Sequence, residues 1–294
     1  YAPKHLVIVD IELPTADWDT LRKQQRDMTN FLNPGCREVP FESGFTYQKA
    51  TVWVDGVKLS DVGVRKKGFV GSMSEVKPSL KLKFNAFAKG QLLHGMERMT
   101  LNNNRQDLGF VRSCLAYQLF AQAGVPTPRC NFAHVRVNGV SLGLFSHVET
   151  VKRRFLRRHF SSAKGHLYEG TLSDFRPGWL DTLEPKTSDT DAAHPALAAL
   201  TKALALPDDE LLPALEKIID LPAFLRFWAM EVLVNHTDGY GGNANNFFVY
   251  IEPESGLLHF IPWGPDLSFV DRSFEDPKAP SAVLTRSRLT RRLY

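Results

Sequence analysis

The hydrophobic pattern of this chain changes its period part-way along the sequence, and this change constrains the fold more than any other feature. Much of the first half alternates polar and apolar residues, as in TYQKATVWVDGVKLSDVGVRKKG and KPSLKLKFNAF, which is the two-residue period of half-buried strands. The second half contains HPALAALTKALAL, DDELLPALEKIID and LPAFLRFWAMEVLVNHT, whose apolar residues recur at helical spacing. Strands followed by helices predict an α+β protein with two lobes.

Turn and stop residues set the expected boundaries of several elements. The pairs Asp55–Gly56 and Asn138–Gly139 each suit the tight turn of a hairpin. Residues 14–28 and 110–124 have helical periodicity, and Gly124 followed by a proline is a typical helix stop. We therefore expect a first half that is mostly β-structure with one prominent helix.

The composition is that of a folded protein without a strong preference for one class of partner. Hydrophobic residues make up 43% and charged residues 23% of the chain, which is enough apolar material for a sizeable core. A net charge of +4 is too small to argue for nucleic-acid binding. The basic runs KRRFLRRHF and TRSRLTRRLY are typical of solvated helix faces, and an acidic protein substrate fits them equally well.

The three cysteines are Cys36, Cys114 and Cys130, and they show no CxxC spacing. All three cannot pair with one another, so we expect neither a disulfide framework nor a zinc site. Cys114 lies in a helix-like apolar run, where a buried free thiol is expected.

The two ends of the chain suggest that it is a piece of a longer protein. It begins with YAPKHL, without a methionine, and ends in the helix-like run LTRRLY. A missing leader leaves the compartment open, and secretion or attachment to a cell surface or coat is our expectation. No segment reaches the roughly 18 consecutive apolar residues of a membrane span. The oligomeric state is open.

Residues 235–246, NHTDGYGGNANN, place glycines, asparagines and a single aspartate between two apolar runs. His236, Asp238 and Asn243 fit the H-x-D-x₄-N spacing of a protein-kinase catalytic loop. In that chemistry the aspartate meets the hydroxyl that attacks the γ-phosphate, and an amide oxygen ligates Mg²⁺. The match has only three residues, and loop chemistry with no further purpose is the alternative.

A second polar cluster, PWGPDLSF, follows the hairpin-like segment FFVYIEPESGLLHFIPW. A kinase carries its metal-binding aspartate after such a hairpin, which makes Asp266 a candidate metal ligand. The alternative is that Asp266 only caps the turn after Pro265.

Candidate phosphate contacts lie in the first half. Lys77, Lys81 and Lys83 lie on or beside an alternating strand, and Lys81, central on its polar face, is our choice for the lysine that holds the nucleotide phosphates. The alternative is that these lysines face solvent and protect a strand edge. Upstream, Gly68 and Gly71 would let backbone N–H groups approach phosphate, although a plain hairpin turn explains them as well.

Other catalytic chemistries find no support in the sequence. It contains no G-x-S-x-G elbow, HExxH zinc helix or Walker A loop. His134, His147 and His259 fall in strand patterns, where packing or surface roles are expected.

Five blocks, taken together and in order, resemble the CotH family, spore-coat-type kinases with an atypical protein-kinase-like fold. The blocks are LVIVDIELPTADWDTL, VGVRKKGFVGSMSEVKPSLKLKFN, MTLNNNRQDLGFVRSCLAYQLFAQAGVPTPR, VRVNGVSLGLFSHVETVKRRFL and NHTDGYGGNANNFFVYIEPESGLLHFIPWGPDLSF. The resemblance implies ATP-dependent phosphorylation of Ser or Thr in a protein substrate, with Mg²⁺ or Mn²⁺ as the cation. It implies an N-lobe of residues 1–149 and a C-lobe of residues 150–294.

The resemblance also implies roles for single residues. Asp238 matches the catalytic-loop aspartate, Asn245 and Asn246 match the pair before the aromatic strand, and Asp266 matches the second aspartate of a W-D-x-D block. Glu149 matches a glutamate near the expected adenine site. From their positions in the sequence, the candidate contacts with the nucleotide phosphates are Gly68, Gly71, Ser72, Lys77 and Lys81.

The sequence departs from the family pattern at the W-D-x-D block, where Gly264 replaces the first aspartate. A single aspartate with an amide can still hold Mg²⁺ through waters. Asn243 has the general kinase spacing, whereas Asn245 and Asn246 carry the family match, so the ligand asparagine is open. Two alternatives follow: transfer of AMP from the same nucleotide site, and a catalytically weakened pseudokinase that acts as a surface or coat protein.

Overall fold

The computed structural model describes residues 1–2, 4–26, 40, 44–187, 195–271, 276 and 278–294. Within these ranges the protein has eleven β-strands and eight α-helices, which confirms the predicted α+β class. The chain divides into two compact units. The first contains the described residues up to 26, 44–114 and 129–150, and the second contains 115–128 and the described residues from 151 onward.

The first unit is built on a seven-stranded sheet that closes on itself in the order β1-β2-β3-β4-β5-β7-β6. Its strands are β1 (Leu6–Glu12), β2 (Gln48–Val54), β3 (Val57–Lys67), β4 (Ser79–Lys83), β5 (Arg98–Asn102), β6 (Cys130–Val137) and β7 (Val140–Val148). Only β1 and β6 run parallel among these described strands. The hairpin turns predicted at Asp55–Gly56 and Asn138–Gly139 are confirmed, and all four residues have positive φ.

Alternation along the strands creates the core of the first unit. Val52, Leu82 and Leu101 are fully buried and belong to one apolar cluster, because every second side chain of a strand points to the same face. On β4, Lys81 and Lys83 lie half-exposed between buried neighbours, as the pattern predicts.

Helix α1 spans Thr15–Lys23, so the predicted helix of residues 14–28 is too long at its end. Residues 24–26 are not helical, and residues 27 and 28 lie outside the described part of the chain. Lys66 is fully buried and donates to the carbonyls of Arg22 at 2.6 Å and Gln24 at 2.7 Å. The lysine thereby satisfies carbonyls that the helix end leaves without a partner.

Helix α2 spans Arg112–Gln122 and is followed by Gly124 at φ +75, which confirms the predicted helix and its stop. The expectation of a free Cys114 is wrong, because Cys114 forms a disulfide with Cys130. The two residues are 16 positions apart in sequence, yet their Cα atoms lie 5.0 Å apart. The first turn of α2 and the first residue of β6 come close together only when the chain folds, so the sequence alone did not reveal this pairing. Cys36 lies outside the described residues.

The second unit combines helices with a four-stranded sheet in the order β11-β10-β8-β9. Its elements are α3 (Arg153–His159), β8 (His166–Gly170), β9 (Leu183–Pro185), α4 (Pro195–Ala203), α5 (Asp208–Leu215), α6 (Leu221–Leu233), α7 (Tyr240–Asn243), β10 (Phe247–Ile251), β11 (Leu258–Pro262) and α8 (Arg288–Leu293). The three successive helices and the β10–β11 hairpin predicted from the sequence are confirmed. Strands β8 and β9 were not predicted from the sequence.

An aromatic cluster forms the centre of the second unit. Phe224 and Phe227 of α6 pack with Tyr240, Phe247 and Phe260, with ring centroids 4.6 to 6.2 Å apart in the contacting pairs. Burial of each large apolar side chain is worth about 1.5–3 kcal/mol. The cluster therefore holds both ends of the 235–246 loop, one through α6 and the other through β10.

In the described part of the chain, no helix combines the length and the apolar character needed to cross a membrane.

Candidate functional site

The 235–246 loop leaves α6 and enters β10 through several left-handed backbone positions. Asn235, Ala244 and Asn246 have φ between 49 and 50, a conformation that asparagine tolerates better than most residues. Between them lies the short helix α7. Because of this backbone path, the loop folds back on itself, and Asn246 lies next to Asp238.

The loop closes around the carboxylate of Asp238. Asn243 Nδ2 donates to Asp238 Oδ1 at 2.8 Å, and Asn245 Nδ2 donates to the same oxygen at 3.2 Å. Asn246 Nδ2 donates to Asp238 Oδ2 at 2.7 Å. The predicted catalytic aspartate and the three predicted ligand asparagines thus form one hydrogen-bonded cluster, which we call the Asp238 cluster. Three donors fix the orientation of the carboxylate and leave Oδ2 with room for a further hydrogen bond.

The carboxamide oxygens of the three asparagines differ in what they contact. Asn245 Oδ1 accepts a hydrogen bond from Leu172 N at 3.1 Å. The oxygens of Asn243 and Asn246 accept none from the described residues. Asn243 and Asn246 are therefore better placed than Asn245 to offer an oxygen to a cation.

Glu231 supports the loop from within the second unit, and the sequence analysis did not single it out. Its fully buried carboxyl group accepts hydrogen bonds from Tyr240 N and Gly241 N, each at 2.8 Å. Burial raises the pKa of Glu231 to about 8, because desolvation disfavours the charged form. A Cβ added at Gly239 would overlap Glu231 Oε1, so this position requires glycine. The only signal in the sequence is an acidic residue within the apolar run AMEVL.

His236 joins the loop to the end of β11. It is fully buried, and its Nε2 lies 3.0 Å from the carbonyl oxygen of Trp263. Burial lowers the pKa of His236 to about 4, so the ring is neutral at pH 7 and its Nε2–H donates to that carbonyl. Within the H-x-D-x₄-N match, the histidine therefore has a structural role.

The PWGPDLSF segment meets the Asp238 cluster at Gly264. Trp263 N donates to the backbone oxygen of Asn246 at 3.0 Å. Gly264 has φ +53, and a Cβ added there would lie 2.9 Å from Asn246 Oδ1. The position at which the family pattern has an aspartate therefore directly adjoins one of the predicted ligand asparagines.

Asp266 lies half-buried in the 3₁₀ turn Pro265–Leu267, two residues beyond Gly264. Gly264 N donates to the Tyr117 hydroxyl at 3.0 Å. Burial, and then the carboxylate of Asp266, raise the pKa of Tyr117. This electrostatic effect places Asp266 near the Tyr117 hydroxyl, at the same end of β11 as Gly264.

Three of the predicted ligand residues offer oxygen atoms of the type that hard cations prefer. Asn243, Asn246 and Asp266 offer amide and carboxylate oxygens, the ligand type that Mg²⁺ prefers. Among the described residues, no group of three or more His, Cys, Asp or Glu side chains could hold a metal. Mg²⁺ commonly takes one or two carboxylates and completes its shell with water and phosphate oxygens, so these residues alone would not complete the shell of such a cation.

In the first unit, the predicted phosphate turn follows β3. Gly68 has φ +128, which favours glycine, and Ser72 Oγ accepts a hydrogen bond from Phe69 N at 3.1 Å. A Cβ added at Gly71 would overlap the carboxamide of Gln106. Both glycines therefore meet steric requirements of this turn, and Ser72 closes it.

The two candidate lysines have different surroundings. Lys77 Nζ donates to Leu144 O at 2.7 Å and lies 4.9 Å from the ring centroids of both Phe110 and Phe145. Burial lowers the pKa of Lys77. Lys81 lies half-exposed on β4, with Arg65 and Thr100 as its partners in register. The structure thus shows a packing role for Lys77 and a half-exposed position for Lys81.

Glu149 follows β7 and is almost fully buried. Its Oε1 accepts from Arg129 Nη2 at 2.8 Å, and its Oε2 accepts from Arg129 N at 3.1 Å and Nε at 3.2 Å. This ion pair was not predicted from the sequence, because the two residues are 20 positions apart.

Comparison with known proteins agrees with the resemblance. The family described as CotH kinase protein matches residues 64–293. The inner spore coat protein H of Bacillus subtilis is 23% identical over 196 residues, which cover 63% of this chain and 53% of that protein. The spore coat protein homolog 1 of Rhizopus delemar is 25% identical over 178 residues, which cover 57% of this chain and 29% of that protein. The chain therefore spans about half of the first relative and less than a third of the second.

Proposed function

The chain belongs to the CotH kinase protein family, and we propose that it is an ATP-dependent protein kinase that phosphorylates Ser or Thr. The observation that carries this proposal is the Asp238 cluster, in which three asparagine amides orient a single carboxylate. A carboxylate with a free hydrogen-bonding position can orient an incoming hydroxyl group. Such positioning supplies much of the catalysis in phosphoryl transfer.

In the proposed reaction, Asp238 accepts a hydrogen bond from the substrate hydroxyl and takes its proton as the transfer proceeds. The new bond joins the hydroxyl oxygen to the γ-phosphorus, and the bond from that phosphorus to the bridging oxygen of ADP breaks. Asp266 with Asn243 or Asn246 would hold Mg²⁺ or Mn²⁺, which neutralises phosphate charge when bound. Asn245 is kept in the loop by Leu172.

The nucleotide contacts in the first unit are part of the same proposal. Lys81 and the turn that contains Gly68, Gly71 and Ser72 are assigned to the phosphates, because Lys81 is central on the polar face of its strand and the glycines allow backbone N–H groups to approach phosphate. Lys77 and Glu149 support this region through their local partners, Leu144 and Arg129. The two-lobed, kinase-like organisation that the resemblance implies completes the proposal.

Gly264 supports a second candidate, a catalytically weakened pseudokinase with a structural role in a surface or coat layer. At this position the W-D-x-D pattern has a carboxylate, and here the residue is a left-handed glycine that adjoins Asn246 Oδ1. Loss of one carboxylate weakens a site for a divalent cation. Both relatives are named as spore coat proteins, which favours attachment to a coat in either case.

The test is incorporation of label from ATP in the presence of Mn²⁺ or Mg²⁺, with an acidic protein as acceptor. Separate reactions carry the label on the γ-phosphate or on the α-phosphate. The variants are Asp238→Asn and Asp266→Ala, and Asp209→Asn, an exposed aspartate of α5, is the matched control. We expect γ-label on the acceptor that both site variants lose and the control retains.

The other outcomes distinguish the alternatives. Incorporation of α-label would assign AMP transfer to the site. Absence of both labels, with no change of melting temperature on addition of ATP and cation, would contradict the kinase proposal and favour the pseudokinase.

A further inference from the structure

Four arginines of the second unit, Arg176, Arg288, Arg291 and Arg292, line a cavity of about 430 Å³. We call it the arginine pocket. Three of them belong to α8, at spacings of three and four residues, so they lie on the same side of the helix. The proposed phosphoryl transfer makes no use of this pocket.

The positions of these arginines on α8 are electrostatically unfavourable. Like charges at spacings of three and four destabilise a helix. Arg288 is the first residue of α8, and the carboxylate of Asp174 offsets the positive end of the helix there, because it accepts hydrogen bonds from Arg288 N at 3.0 and 3.2 Å. Arg291 and Arg292 lie in the last turn, which favours cations. The repulsion among the three arginines is the remaining penalty, and a bound anion would relieve it.

Local hydrogen bonds fix the arginines without using most of their donors. Arg288 Nη2 donates to Leu204 O at 3.1 Å, and Arg292 Nη2 donates to Leu206 O at 2.6 Å. Arg176 Nη2 donates to the backbone oxygen of Arg286 at 2.8 Å. Since a guanidinium group has five N–H donors, each of these arginines is anchored and still has donors to offer.

The charge of the arginine pocket is only partly balanced. Arg176 pairs with the buried Asp174 at 2.6 Å, and Arg292 pairs with Asp208 at 2.9 Å, whose side chain is 91% exposed. An exposed ion pair is screened by solvent and contributes little. Within the described part of the chain, Arg288 and Arg291 form no ion pair with a carboxylate. The pocket therefore has an excess of positive charge.

We propose that the arginine pocket binds the dianion of a phosphate monoester. The planar fork of arginine matches phosphate oxygens and forms bidentate, charge-assisted hydrogen bonds with them. Clusters of arginine are a recurring means of recognising phosphorylated groups in proteins. The cavity falls in the range of small-ligand pockets, about 300–1,000 Å³, with room for a phosphoryl group and for part of the molecule that carries it.

The grouping of these arginines at a single cavity favours this ligand over a nucleic acid. A phosphodiester chain needs cations along an extended track, whereas these four arginines line one cavity. The net charge of +4 also provides little long-range attraction for a polyanion. Phosphate monoesters occur as phosphoserine or phosphothreonine in proteins and as small free esters, and the experiment separates these sources.

The experiment measures binding to the full chain by isothermal titration calorimetry. The probes are inorganic phosphate, a phosphoserine peptide with neutral flanking residues, the same peptide without phosphate, and an oligothymidylate. The test variants are Arg291→Gln and Arg291→Lys. Arg291 is suited to this because it is exposed and has no ion pair among the described residues. Arg226→Gln, an exposed arginine of α6 outside the pocket, is the matched control.

We expect the phosphoserine peptide to bind and the same peptide without phosphate not to bind. Loss of a charge-assisted hydrogen bond in Arg291→Gln should weaken binding about tenfold. Arg291→Lys should recover part of the affinity, because it keeps the charge but not the fork. Arg226→Gln should bind as the unsubstituted chain does. Tighter binding of the peptide than of inorganic phosphate assigns a protein source, and equal affinity assigns a free phosphate ester.

Three results would overturn the proposal. One is the absence of binding for both phosphate probes. Another is equal affinity in Arg291→Gln and in the unsubstituted chain. The third is preferential binding of the oligothymidylate, which would assign the pocket to nucleic acid. Activity is not part of this readout, so the proposal can fail or hold independently of the proposed kinase function.

Discussion

The two regions assigned to one reaction differ in how their polar residues are held. In the second unit, Asn243, Asn245 and Asn246 all donate to Asp238, so the predicted residues contact one another. In the first unit, the predicted residues contact other parts of the sheet: Lys77 reaches Leu144 and Glu149 pairs with Arg129.

This difference has a physical consequence. The Asp238 cluster orients a single carboxylate through the amides of three asparagines. The polar residues of the first unit stabilise local structure whether or not a ligand binds. Substitutions in the two regions should therefore separate loss of activity from loss of stability.

The largest effect is expected at Asp238. Asp238→Asn removes the carboxylate that would accept the hydrogen bond of the substrate hydroxyl. It also places an amide group next to the side-chain N–H donors of Asn243, Asn245 and Asn246. We expect the rate of phosphoryl transfer to fall about a thousandfold, within the usual contribution of a general base. Steady-state kinetics with a labelled acceptor measure the rate, and circular dichroism checks that the variant is folded. A variant with more than a tenth of the original rate would contradict the assigned role.

Gly239→Ala tests the support of the cluster. The added Cβ would overlap Glu231 Oε1 and disturb the hydrogen bonds from Tyr240 N and Gly241 N. We expect the free energy of unfolding to fall by about 3 kcal/mol, the scale of a disrupted buried polar network. Urea denaturation measures this loss. Gly109→Ala is the control, because its added Cβ would find no neighbour closer than 3.6 Å, and an equal loss there would argue against the overlap.

The pH dependence of stability should distinguish the units. The pKa of Glu231 is raised to about 8, so folding favours its protonated form and stability falls as pH rises towards 8. The pKa values of His236 and His147 are lowered to about 4 and about 3. The contribution of these histidines to the free energy of unfolding therefore increases as pH rises to about 6.5. Above that pH their contribution is constant.

Between pH 6.5 and 8, Glu231 of the second unit should therefore dominate. We expect the free energy of unfolding to decrease by about 2 kcal/mol over this interval. Urea denaturation at several pH values measures the slope. Glu231→Gln should abolish the decrease, whereas His147→Gln should leave it unchanged. A slope that persists in Glu231→Gln would assign it to another group.

The smallest effect is expected for Glu149, where substitution should lower stability slightly and leave the rate nearly unchanged. Glu149→Gln weakens the ion pair with Arg129, whose side chain is 39% exposed, so solvent screening limits the loss. We expect the free energy of unfolding to fall by about 1 kcal/mol. The rate of phosphoryl transfer at saturating ATP should change less than threefold. A large fall in rate with unchanged stability would move Glu149 from structural support to the nucleotide site.

Local patterns were sufficient for much of the fold. The turns at Asp55–Gly56 and Asn138–Gly139 depend on residues that tolerate positive φ, and neighbours in sequence decide them. The proximity of Asp238 and Asn243 was equally predictable, because both residues belong to one loop. Glu231 was not, since an acidic residue on a helix usually faces solvent and only the packed unit shows that this one is buried.

The sequence by itself determined the α+β class, the hairpin turns, the helices of the second half and the loop that contains Asp238. These depend on hydrophobic period and backbone preference, which act over a few residues. Tertiary structure alone decided the Cys114–Cys130 disulfide, the carbonyl contacts of Lys66 and the meeting of Arg176 with α8. Each joins residues that are distant in the chain, and a linear pattern contains no information on which distant side chains share a buried space or on how burial changes their charge.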